Sequence, residues 1–343
     1  MTKFVAIIVG FVITIGIAGY VYKQKDIQDF IPQFAKVSMP TPTPMPLVEL
    51  TIPYLRSRVY SSALGARTKL YDRGAYTAYM TSYESDGLKI NALLTVPRGD
   101  ATKYPAIVFV HGYIPPTQYV TTEKYVEYVD YLARNGFVVL KIDLRGHGQS
   151  EGEAGGAYYS SDYVIDTLNA RAALASSDFV LPNKIGLWGH SMAGNVVMRA
   201  FAAQPSIPAV VVWAGAGYTY QDLVEYRISD QSYRPPSTLA NRSRRRELLR
   251  QTHGDFSASS TFWKQVAVTD YLGDLRGAVD IHHAIDDDVV SVEYSRNLAK
   301  LLDKTSVVHE LYEYPSGGHN ISGVNFGSAM QRTVDFYKKY LAQ

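Results

Sequence analysis

The 343-residue chain is long enough for one large α/β domain with an appendage, and 46% apolar with 19% charged residues excludes wholesale disorder and fibrous or coiled-coil architectures. The net charge of +2 belongs to residues 1–46, where Lys3, Lys23, Lys25 and Lys36 face only Asp26 and Asp29; the remainder carries 30 bases against 30 acids and lacks the basic footprint of a nucleic-acid binder. With no cysteine, thiol catalysis, disulfides and Cys-based zinc sites are excluded.

Residues 4–22 form an uncharged run of nineteen, FVAIIVGFVITIGIAGYVY. At helical rise this spans roughly 28 Å, the thickness of a hydrocarbon core, and predicts a single transmembrane helix. A cleaved signal peptide ending at Gly16-Ile17-Ala18 is the competing reading, but the apolar run continues past that point. The short tail before it favours an extracytoplasmic domain, although Lys23 and Lys25 follow the segment and oppose that orientation. Residues 23–46 end in prolines at 40, 42, 44 and 46, which favour extended polyproline II geometry and read as a stiff stalk.

A single domain over 47–343 then opens with a preamble of about thirty residues, after which period-2 apolar runs and helical patterns alternate. The pattern predicts strands at 88–96 and 106–110, a helix at 121–135, a strand at 137–142 and a helix at 157–177. A strand at 184–188, a helix at 193–203 and strands at 209–213, 278–285 and 307–312 follow, and a terminal helix spans 327–341. Short apolar strands alternating with helices imply a mostly parallel sheet covered on both faces, with sites beyond the carboxyl ends of its strands.

Reactive residues fall at those ends. After the strand KIGLW comes Gly189-His190-Ser191-Met192-Ala193-Gly194 and then a helical pattern, the context in which a serine is held exposed on a tight strand-to-helix turn. Ser191 is therefore the candidate nucleophile, with Ala193 standing where glycine is commonest. A serine hydroxyl needs a base. His319, in the glycine-rich YPSGGHN loop after a strand, fills that role by chain order, whereas His309 lies inside a strand and His253 in a polar insertion, read as structural or solvated. Asp286, Asp287 and Asp288 end the strand AVDIHHAI and offer the orienting carboxylate. Adjacent His282 and His283 point to opposite faces of that strand, so they cannot share a metal ion. The N–H groups of Met192 and Tyr113 are the expected oxyanion donors. Asp143, Arg145 and His147, in DLRGHGQS after another strand, are expected to brace the site from behind.

The stretches VFVHGY, KIDLRGHGQSEG, IGLWGHSMAG, IHHAIDDDVVSVEYS and YPSGGHN make residues 75–343 resemble the α/β-hydrolase fold, specifically the catalytic domain of the prolyl oligopeptidase family and its dienelactone-hydrolase-like relatives. That resemblance implies a Ser-Asp-His hydrolase working through an acyl-enzyme without a cofactor. The family pattern His-Gly-x-x-Asp-x-Val-x-Pro falls on residues 283–291 and selects Asp287 as the acid, with Ala284 and Ser291 replacing its glycine and proline.

No segment is long enough for the β-propeller that gates the large peptidases of that family, so small esters or short peptides are the expected substrates. Residues 218–275 are expected to form a lid rich in Tyr, Phe and Trp; its Arg242, Arg244, Arg245, Arg246 and Arg250 read as a solvated helix face, with an anionic substrate or lipid headgroup as the alternative. A catalytically dead binding module is the rival of another class, opposed by the completeness of the triad.

Overall fold

The valine- and isoleucine-rich strands are buried on both faces, which is why they read as continuous apolar runs. In β4 (Tyr104–Val110), Ala106, Val108 and Val110 enter one core cluster while Ile107 and Phe109 enter another on the opposite face. The computed structural model describes residues 45–226, 228 and 239–341, and residues Pro46–Gln343 form one unit. The expected anchor at 4–22, and all of the stalk except residues 45 and 46, lie outside the described residues. Among the described residues no helix is long and apolar enough to cross a membrane.

The strands are β1 (Thr68–Asp72), β2 (Tyr76–Ser85), β3 (Leu88–Pro97), β4, β5 (Val138–Ile142), β6 (Val180–His190), β7 (Ala209–Trp213), β8 (Ala278–Ala284) and β9 (His309–Tyr314). They form a sheet ordered β1-β2-β3-β5-β4-β6-β7-β8-β9. From β5 to β9 every pairing is parallel, and β1, β2 and β3 add an antiparallel flank. Helices α1 (Ile52–Ser57), α3 (Asp162–Ala175) and α4 (Met192–Ala203) cover one face, and α2 (Val126–Arg134) and the terminal α9 (Phe326–Leu341) the other. The preamble of the sequence thus holds α1 and two strands.

One expected helix is shorter than its pattern. Residues 121–125 stay outside α2 because Thr121 donates to the Asp143 carboxylate at 2.6 Å and Tyr125 is left-handed, with φ 59°. Between β7 and β8 the chain forms α5 (Tyr220–Glu225), α6 (Leu239–His253) and α7 (Thr261–Val266), the helical insertion expected there, and α8 (Glu293–Leu302) follows β8. One detail of that insertion differs from expectation, and a second fits one of the two readings given for it. Arg245 pairs with Asp162 at 2.6 Å, so it docks α6 on the start of α3 instead of facing water. His253 stacks on Phe262 at 3.5 Å and its Nε2 lies 2.7 Å from the Pro46 carbonyl, so it is a packed ring.

Candidate active site

β6 ends at His190 and α4 begins at Met192, leaving Ser191 alone on the turn with φ 56° and ψ −120°. A non-glycine residue at positive φ is strained, and such strain concentrates at functional turns. The turn is locked by the Ser191 N–H donating to the Trp213 carbonyl and the Gly194 N–H donating to the Ser191 carbonyl, both at 2.9 Å. Glycine is required at 189, where an added Cβ would lie 2.6 Å from the Ala193 carbonyl oxygen. The start of α4 points its first N–H groups, Met192 among them, out of the helix and beside the serine.

Two of the three consecutive aspartates have distinct tasks. Asp287 Oδ2 accepts from His319 Nδ1 at 2.8 Å and from His283 Nε2 at 3.1 Å, while its Oδ1 accepts from the N–H groups of Val289 and Val290, both at 2.9 Å. Burial alone would push this carboxyl upward, but the hydrogen bonds from His283 and His319 outweigh it and hold the group below the usual carboxylate range. Asp286 instead accepts from the N–H groups of Gly317 and Gly318, at 3.2 and 2.9 Å, and so fastens the backbone of the loop that carries His319. Asp288 is exposed. His282 turns to the other side of β8, toward Asp280 at 2.8 Å and the Tyr314 hydroxyl at 2.9 Å.

Ser191 and His319 line one cavity of about 610 Å³, whose walls include Tyr113, Lys124, Tyr125, Glu127, Tyr128 and Phe326. Tyr113, the expected second oxyanion donor, is thus on the wall of the same cavity. Behind it, His111 stacks on Tyr119 at 4.3 Å and its Nε2 lies 3.0 Å from the Asp143 carbonyl. Burial drops the His111 imidazole to about 3 and raises the Asp143 carboxyl to about 7, against the opposing effect of the Thr121 hydrogen bond. His147 packs edge-on against His111, at 5.0 Å. Arg145 faces elsewhere: it binds Asp166 of α3 at 2.7 Å and braces the sheet flank.

Residues 102–254 match the family model described as Serine aminopeptidase, S33. Among solved structures, the acetyl xylan esterase from Paenibacillus sp. R4 superposes with a TM-score of 0.60 at 16% identity, covering 83% of this chain and 91% of that one. The chain is an α/β-hydrolase by fold. A puromycin-hydrolyzing peptidase of Mycobacterium tuberculosis has the same α/β-hydrolase architecture over 79% of this chain and 40% of its own, with a TM-score of 0.57 and 19% identity. The polyketide transferase claH of Penicillium crustosum is 31% identical over 117 residues, and the match spans 34% of this chain and only 37% of that relative.

Within this α/β-hydrolase the structure also assigns partners that the sequence does not announce. His283, which the sequence analysis left without a role, donates from Nε2 toward both Asp287 and the Val290 carbonyl, and its Nδ1 meets the Ser295 hydroxyl at 2.7 Å. Tyr128 donates to the carbonyl of Asn320, the residue after His319, at 2.8 Å. The Tyr128 contact carries no local motif, because it follows from the docking of α2 against the base loop, whereas His283 opens the same 283–291 pattern that selects Asp287.

Proposed function

We propose that this protein is a serine hydrolase that cleaves small carboxylic esters or short peptides through an acyl-enzyme. The observation that carries the reading is the His319 Nδ1 to Asp287 bond of 2.8 Å, made at the wall of the cavity that Ser191 also lines. With Nδ1 committed to Asp287, Nε2 is the ring nitrogen that takes the proton from Ser191 Oγ as the oxygen attacks the substrate carbonyl. The tetrahedral oxyanion is stabilised by the N–H groups of Met192 and Tyr113, and His319 returns the proton to the leaving alcohol or amine as the intermediate collapses. Water, deprotonated by the same nitrogen, then releases the acid and frees Ser191. No cofactor enters this sequence of steps.

The likeness to an esterase, a peptidase and a polyketide transferase supports acyl transfer and leaves the leaving group to the shape of the pocket. The uncharged run at 4–22 supports a single-pass anchor that keeps the enzyme at a membrane. A panel of aminoacyl amides and of short- and long-chain esters, run beside fluorophosphonate labelling, tests the proposal. Ser191→Ala should abolish both turnover and labelling in a folded protein; undiminished labelling of that variant would remove Ser191 from the chemistry.

A further inference from the structure

Three loops meet around Ser191, and one pair of side chains touches all of them. The Tyr125 hydroxyl accepts from the Gly112 N–H at 3.0 Å and lies 2.7 Å from His190 Nδ1. His190, the residue before Ser191, has its Nε2 2.8 Å from the His319 carbonyl. Only one assignment of protons satisfies every contact: the phenol donates to Nδ1, and the neutral imidazole donates from Nε2 to the carbonyl. Both rings are enclosed by the cluster of Phe109, Tyr128 and Trp188, and burial holds His190 neutral, at about 3.

The surroundings are built to keep Tyr125 there. Its left-handed backbone follows a segment fastened at both ends by the carboxyl end of β5: Asp143 takes the Thr121 hydroxyl at 2.6 Å, and the buried Lys141 ammonium donates to the Lys124 carbonyl at 2.5 Å. Gly112 is equally constrained. A Cβ at that position would lie 2.8 Å from the Tyr125 hydroxyl and 2.9 Å from His190 Nδ1, so the donor loop passes close because residue 112 has no side chain. Tyr128, one turn further along, holds the next carbonyl of the base loop, that of Asn320.

We propose that Tyr125 and His190 are a positioning pair, which sets the oxyanion-donor loop at 112–113 and the base loop at 319–320 at a fixed separation across Ser191. This rests on the serine-hydrolase reading above. The pair acts through the backbone of Gly112 and of His319, and the His190 ring also packs against the His319 ring at 4.6 Å.

The test uses the full chain, with fluorophosphonate to count active sites and the best ester of the panel to measure turnover. Tyr125→Phe keeps the ring packing and removes only the hydroxyl. It should lower kcat per titrated site and the labelling rate by about tenfold to a hundredfold while KM stays within about twofold, because misplacement of reacting groups is felt in the transition state. His190→Gln, whose amide nitrogen reaches toward the position of Nε2, should retain several-fold more activity than His190→Asn, which keeps an acceptor for Tyr125 but loses the bond to the His319 carbonyl. A purely structural role predicts a lower melting temperature and fewer titratable sites with normal kcat at each one, and that result would overturn the pairing, as would equal activity of the two His190 variants. Wild-type protein that fails to label at Ser191 would overturn the hydrolase reading, and the pairing with it; wild-type labelling with unaltered Tyr125→Phe kinetics would overturn the pairing alone.

Discussion

Asp287 accepts four hydrogen bonds, two from imidazole rings and two from backbone N–H groups. An asparagine there cannot satisfy them in either orientation, because its amide nitrogen must face ring N–H donors or the N–H groups of Val289 and Val290. Asp287→Asn should therefore lose about four orders of magnitude in kcat, as expected when an imidazole adopts the wrong tautomer. Asp286→Asn keeps an oxygen for Gly318, and Asp288 is exposed, so either substitution should cost less than about tenfold. If one of those two proved the crippling change, the acid would be misassigned. The same carboxylate gives a pH signature. Its pKa lies below the unfolded value, so its contribution to stability is full above about pH 4 and is lost as pH falls through the folded value. Urea midpoints of wild type and Asp287→Asn should then approach each other as pH falls below about 4, and a gap that widens in acid would contradict the assignment.

Helix α6 shows how a charged stretch can be misread at the level of an element. Five arginines suggest a solvated face, yet Arg245 reaches Asp162 at 2.6 Å while Arg244 is exposed. Arg245→Gln should destabilise the protein by about 0.5–1 kcal/mol, the range for a partly exposed pair, and Arg244→Gln should leave the melting temperature unchanged. Equal effects of the two would argue against docking through Arg245. The central strands were legible because double burial imposes apolar runs, uninterrupted in β7. β1 and β2 were not, since Thr, Ser and Tyr fill TKLYD and YTAYMTSYES and their pairing is decided by antiparallel register with β3. The start of α2 escaped for a related reason: the left-handed Tyr125 is imposed by Gly112 and His190, which are distant in sequence.

At the scale of the molecule, the unit Pro46–Gln343 contains all nine described strands and both core clusters. A fragment of residues 46–343 should fold and hydrolyse a soluble ester with kcat/KM within about twofold of the full chain, whereas only the full chain should partition into membranes. Loss of soluble-substrate activity in a folded fragment would give the N-terminal segment a part in the site. The residues that carry the proposed chemistry were readable because Ser191, Asp287 and His319 each lie in a short motif at a strand end. Of their supports, Tyr125 and Tyr128 were not, because nothing in their immediate sequence encodes contacts made with residues far along the chain, whereas His283 and Asp286 lie in the motif that holds Asp287 and show their partners only in the structure. The bond from His190 to the His319 carbonyl joins residues 129 apart, and the base loop is backed by α9, whose Tyr337 donates to the Leu187 carbonyl beneath the serine turn. If Ser191 and His319 act as proposed, the serine turn gains its base only when β9 and the loop after it, the last part of the sheet to leave the ribosome, have docked.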